Sequence, residues 1–132
     1  MEHRYRVVVV ALGLDHPGRS LAATERALRD AGLEVIAAGR AANAEAATAV
    51  VVQEDAEAVV AALPDAEGAV LTALGDALQA EGREDAVLVG LGPRTTPDGA
   101  DAVFAIDTPI DTITDWLVAA LGHREERLEA LA

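Results

Sequence analysis

The chain contains no cysteine. Disulfides, thiolate nucleophiles, iron–sulfur clusters and cysteine-ligated zinc are excluded with it. It contains no lysine either, so all ten cationic side chains are arginine. That removes the lysine-bearing phosphate loop, Schiff-base chemistry and a lysine anchor for pyridoxal phosphate. A receiver-type phospho-aspartate switch also lacks its usual lysine partner. Aromatic residues are scarce, with Tyr5, Phe104 and Trp116 the only three, while 30 of the 132 residues are alanine. The core must be built from valine, leucine and alanine, with helices packed closely on small side chains.

Positive charge is in short supply too. Ten arginines against 23 acidic residues leave a formal charge of −13. Phosphate-backbone binding needs clustered cations, so nucleic acid is not an expected partner. Anionic membrane surfaces are disfavoured for the same reason. The apolar run at residues 7–11 is far too short to cross a bilayer, and no cleavable leader pattern accompanies it. The expected location is the cytoplasm. The length fits one domain, with a core over about residues 5–121 and a polar tail over 122–132.

Strand and helix signals alternate along the chain. Residues 6–12 hold four successive valines and read as a buried strand. Residues 20–31 read as a helix, with Ser20 placed to cap it and Gly32 to stop it. A short strand follows at 34–38. Asn43 is placed to cap a helix over 44–54, and 58–63 reads as a third strand. Leu71, Leu74 and Leu78 share a helix face, and Gly82 follows it. Strands are expected at 86–90 and 102–105. Thr108 and Pro109 suit the start of a last helix, with Ile110, Ile113, Leu117 and Leu121 as its buried stripe and Gly122 as its end. The tail at 123–132, with Leu128 and Leu131, either extends that helix or frays.

This alternation predicts an α/β domain of the flavodoxin-like (Rossmann-like) type. Its five-stranded parallel sheet has the order 2-1-3-4-5, with helices on both faces. Ligands in such folds bind beyond the carboxyl ends of the strands. The loops at 13–19, 64–68 and 91–96 are therefore the places to look.

Several segments carry a more specific signal. They are the run Val7-Val-Val-Val-Ala-Leu-Gly-Leu-Asp-His16, the segment Arg26-Ala-Leu-Arg-Asp-Ala-Gly-Leu-Glu-Val-Ile36, Gln53-Glu-Asp-Ala56, Leu71-Thr72, Val103-Phe104 and Thr108-Pro-Ile110. Together they resemble the cobalamin-binding domain of methylmalonyl-CoA mutase and related acyl-CoA mutases, over nearly the whole chain. The resemblance implies cobalamin, as adenosylcobalamin, for cofactor. It implies His16 as the lower cobalt ligand and Asp15 as the carboxylate that orients its ring. It also implies Gly18, Gly90 and Gly92 along the nucleotide tail. The partner implied is a separate catalytic barrel subunit that binds the acyl-CoA, so this chain alone is not catalytic.

The motifs are degenerate. Asp15 and His16 are adjacent, whereas the family spaces them two apart, and Arg19 stands where the family has glycine. No serine follows the third strand, where the segment is Ala61-Ala-Leu-Pro-Asp-Ala66. Gly90 and Gly92 are split by Leu91. Residues 93–98 are too few for the family's helix before the fifth strand, and Asp107-Thr108 replaces its Gly-Thr. Two functional readings therefore stand. The chain is the small cobalamin-holding subunit of a mutase-like system, or it is a cofactor-free pseudo-cobalamin domain acting as an interaction or regulatory module. A homo-oligomer is compatible with either. A third reading, a different small molecule in the remodelled cleft, rests on fold analogy alone.

Other residues invite plainer readings. Gly13 and Gly18 suit turns. His3 and His123 lie in polar surroundings near the ends. Asp98, Asp101 and Asp107 do not follow a calcium-loop pattern. Trp116 fits either the core or an interface. Ser20 has no histidine and aspartate set around it.

Overall fold

A computed structural model describes residues 4–12, 21–63, 68–92, 99–105 and 107–131. The chain order is β1 (Arg6–Leu12), α1 (Leu21–Asp30), β2 (Glu34–Ala41), α2 (Ala44–Glu54), β3 (Ala58–Ala62), α3 (Gly68–Ala80), β4 (Val87–Leu91), β5 (Ala102–Phe104) and α4 (Ile110–Leu131). The five strands form one sheet in the order β2-β1-β3-β4-β5, and every pairing is parallel. The flavodoxin-like expectation is met in strand number, order and direction.

The valine run explains the centre of the sheet. Successive side chains point to opposite faces, so β1 must be apolar throughout to be covered on both. Val7, Val9 and Ala11 join Leu28, Ile113, Leu117 and Leu121 under α1 and α4. Val8, Val10 and Leu12 join Ala47, Val51, Leu71, Leu74 and Leu78 under α2 and α3. Fully burying a valine or leucine side chain stabilises by about 1.5–3 kcal/mol. Scarce aromatics are compensated by this double-sided aliphatic packing. Among the described residues, Phe104 on β5 meets Trp116 on α4 edge to face, with ring centroids 5.9 Å apart. Trp116 is thus engaged in holding α4 over the sheet.

Asn43 caps α2 as expected, accepting at 2.9 Å from the Ala46 N–H. The ends of α1, β3 and β4 differ from the sequence reading by one residue, and three further boundaries differ for reasons that can be named. Strand β2 runs on to Ala41 because its register against β1 slips between Val9 and Val10, and Gly39 takes φ +68° there. Helix α4 passes through Gly122 without stopping and ends at Leu131. The cause lies beyond the glycine. Arg124 donates to the Asp85 carbonyl at 3.0 Å and to its carboxylate at 2.8 Å. Tyr5 donates its hydroxyl to Glu125. These ties outweigh the roughly 1 kcal/mol helix penalty of glycine. Strand β5 is the third, ending at Phe104 because the Ala105 carbonyl accepts from the Thr108 N–H at 3.0 Å and so belongs to the turn.

The amino ends of the strands carry a polar lattice. Arg6 pairs with Glu34 at 3.1 Å and donates to the Glu54 carbonyl. Arg83 pairs with Asp55, the left-handed cap of α2. Arg124 lies 3.8 Å from Glu57, and both side chains are largely buried. No helix occurs among the described residues between β4 and β5. Gly99 instead runs against Gly75 of α3, where an added Cβ would sit 3.2 Å from the Gly99 carbonyl oxygen.

Candidate cofactor site

The carboxyl ends of β1, β3 and β4 bring Leu12, Leu63, Leu91 and Gly92 together. Leu63 donates its N–H to the Leu91 carbonyl at 3.0 Å, and Gly92 donates to the Phe104 carbonyl at 2.9 Å. Ladder hydrogen bonds therefore continue right to the rim, and the ends of β3, β4 and β5 are held as one edge. The loop that leads from this edge to α1 bears three of the five expected site residues. Asp15, His16 and Gly18 lie outside the described residues.

Gly90 and Gly92 are described, and the reasons for glycine differ at the two. Gly90 is buried and faces α3. A Cβ there would come within 2.5 Å of the Leu71 Cδ2 and 3.2 Å of the Val103 Cγ1. The obstruction is the far end of a flexible side chain, so rotation of Leu71 clears it. Gly92 has φ +123°, and its Cβ would come within 2.6 Å of the Leu63 carbonyl oxygen. That obstruction is backbone and does not rotate away. Gly90 can yield room to a ligand, while Gly92 can offer one only its main chain.

More space lies on the opposite face. A groove of about 700 Å³ runs between α1 and α4, lined by Ala22, Ala23, Ala27, Ala31, Ile110 and Thr114. Arg26, Asp30 and Asp111 stand on its rim. The alanines span about 14 Å of helix at 1.5 Å per residue. Thr24, on the same helix, is 1% exposed and its Oγ1 has no hydrogen-bond partner. A buried hydroxyl left unsatisfied costs about 1–3 kcal/mol. Thr24 lies beneath the groove rather than in its lining, and the α1 side fits an extended, largely apolar group. The β4 side fits it only with Leu71 displaced.

Thr24 and the alanine groove were not singled out from sequence. Leu71 stands out there as a helix-face residue and a family-like position, but not as an obstruction beside Gly90. The alanines at 22, 23, 27 and 31 were a readable signal for a groove beside α1. The hydroxyl was not, because an unsatisfied polar atom appears only once its surroundings are built. Among the described residues, no group of three or more histidine or acidic side chains is arranged to hold a metal ion. His123 is exposed and pairs with Glu126 at 3.7 Å. Asp101 accepts from the Leu88 N–H at 2.7 Å, which ties the approach to β5 onto β4. Asp107 is exposed in the turn before α4.

No protein-family model matches the chain. It is 32% identical over 130 residues to the 2-hydroxyisobutanoyl-CoA mutase small subunit of Aquincola tertiaricarbonis, covering 90% of this chain and 96% of that one. Among solved structures, it is similar to a cobalamin-binding protein from Desulfitobacterium hafniense, with a TM-score of 0.71 and 18% identity. That match covers 89% of this chain but only 59% of the other, so the chain spans well under two thirds of that protein's length. A chemotaxis response regulator of Vibrio cholerae matches with a TM-score of 0.64 and 16% identity, covering 89% of this chain and 99% of the other. At such identities the structural likenesses establish the fold, whereas the curated relative establishes descent. The chain belongs to the family of cobalamin-binding domains of acyl-CoA mutases.

Proposed function

We propose that this chain holds cobalamin at the carboxyl end of its sheet and presents it to a separate catalytic subunit that binds the acyl-CoA. The observation that carries the reading is the 32% identity to a mutase small subunit across nearly all of both chains. His16 is the lower cobalt ligand, and Asp15 steadies its ring from the adjacent position. Gly18 borders the nucleotide tail from the loop. Gly90 borders it from β4 once Leu71 turns aside, and Gly92 does so through its backbone. The alanine groove between α1 and α4 takes the length of the tail. When bound, adenosylcobalamin supplies the radical chemistry. The chain's own work is to bind, orient and shield. We place it in the cytoplasm; no helix among the described residues is long and apolar enough to cross a membrane.

The second reading, a cofactor-free module of the same assembly, is favoured by one observation. Leu71 lies where Gly90 would yield its room, and the Leu63 carbonyl lies against Gly92.

Titration of the purified chain with adenosylcobalamin and hydroxocobalamin, followed by visible absorption, separates the readings. The cofactor-holding reading expects a saturable shift to a base-off, histidine-ligated spectrum that is lost in His16→Ala. An absent shift at millimolar cobalamin rejects it in favour of the module.

A further inference from the structure

We propose that the groove between α2 and α3 docks a cationic amphipathic helix of a partner polypeptide. This inference goes beyond the cobalamin reading and does not depend on it. The groove measures about 510 Å³, and Ala49, Val52, Ala77 and Ala80 form its apolar floor. Small side chains on a floor let a second helix approach closely, the helix-in-groove mode of recognition. Glu45 and Glu81 stand on its rim.

Charge selects the occupant. Helices α2 and α3 carry Glu45, Glu54 and Asp76 and not one arginine or histidine. The cation that follows α3, Arg83, is paired with Asp55. A guest helix flanked by arginine or lysine meets only complementary charge on these helices, which favours both encounter and register. A second copy of this chain is a poor guest, since each copy carries −13 and the two repel. An anionic lipid surface is repelled likewise.

A second observation points into the same groove. Thr48 lines it, is 3% exposed, and its Oγ1 has no hydrogen-bond partner. Thr114 shows the usual alternative, donating its hydroxyl to the Ile110 carbonyl four residues back at 3.0 Å. Threonine in a helix divides between two rotamers. Rotation of Thr48 offers an acceptor to a guanidinium or ammonium group seated in the groove.

The test uses the full chain and a synthetic amphipathic helix with a leucine stripe flanked by lysine. A second peptide has each lysine replaced by glutamate. Binding is followed by amide chemical shifts at 0.15 M salt. The expected result is saturable shifts confined to residues 44–54 and 68–82 with the lysine peptide and none with the glutamate peptide. Reversing the exposed rim in Glu45→Lys/Glu81→Lys should weaken binding at least tenfold while the thermal unfolding midpoint stays put. Ala80→Trp, at an exposed position, should fill the groove and weaken binding similarly. Shifts spread over every acidic surface, or an affinity unchanged in both variants, would overturn the proposal. So would concentration-dependent shifts of the same residues without peptide, which would assign the groove to a second copy.

Discussion

At the amino ends of the strands Arg124 reaches Asp85 and Glu57, Arg6 reaches Glu34, and Tyr5 reaches Glu125. At the carboxyl ends the described residues present leucines, glycines and main-chain hydrogen bonds instead. The polar lattice ties helices to strands across long separations in sequence, so it secures the fold. The carboxyl edge is held by its backbone, with Leu12, Leu63 and Leu91 buried in the core beneath it. The two ends thus differ in kind, with side-chain ion pairs at one and main-chain hydrogen bonds at the other, and the proposed function assigns binding to the second.

Four substitutions can break or sharpen that division. The largest effect is expected from Gly92→Ala. Its φ of +123° and the Leu63 carbonyl at 2.6 Å should cost about 3 kcal/mol. Because Gly92 sits on the binding edge, both the urea midpoint and the cobalamin titration should suffer. A variant that unfolds normally yet binds less would shift Gly92 wholly to the binding side.

Arg124→Ala comes next. It removes a largely buried guanidinium with contacts to Asp85 and Glu57, and charge-assisted hydrogen bonds of this kind contribute about 2 kcal/mol. Urea unfolding should show the loss, with the cobalamin titration unchanged. Weakened cobalamin binding in the folded variant would collapse the distinction between the ends.

Tyr5→Phe should cost about 0.5–1 kcal/mol at neutral pH. The hydrogen bond to Glu125 and burial hold the Tyr5 hydroxyl above its ordinary 10.0, at about 12. The folded chain therefore keeps this proton where the unfolded chain loses it. Stability is full below pH 10 and falls as pH rises from there to about 12. Urea midpoints across that range should decline in the parent chain and decline less in Tyr5→Phe. The smallest effect is expected from Leu131→Ser. Leu131 is 83% exposed, so its midpoint should stay within about 0.5 kcal/mol of the parent.

Much of the fold was legible because apolar patterning states it directly. The valine run could only be a strand covered on both faces, and Leu71, Leu74 and Leu78 could only be one helix face. The end of α4 was not legible at Gly122, because local propensity yielded to Arg124 and Tyr5, whose partners are distant in sequence. The extension of β2 depended on a register slip that no periodicity encodes. At the site, sequence could name Gly90 and Gly92 but not tell their roles apart. The difference lies in whether a rotatable leucine or a fixed carbonyl faces each one. Thr24 stayed hidden because burial without a partner is a property of the packed chain.

The slip at Gly39 has a further consequence. Strand β2 forms one border of the sheet, and an uninterrupted border strand invites another chain to add to it. The irregular turn of the backbone at Gly39, with Glu34 and Arg40 charged along the same strand, spoils that template. The opposite border, β5, is only three residues long. With both borders blunted, runaway stacking of sheets is suppressed in a chain rich in valine, and assembly is left to helix faces and loops.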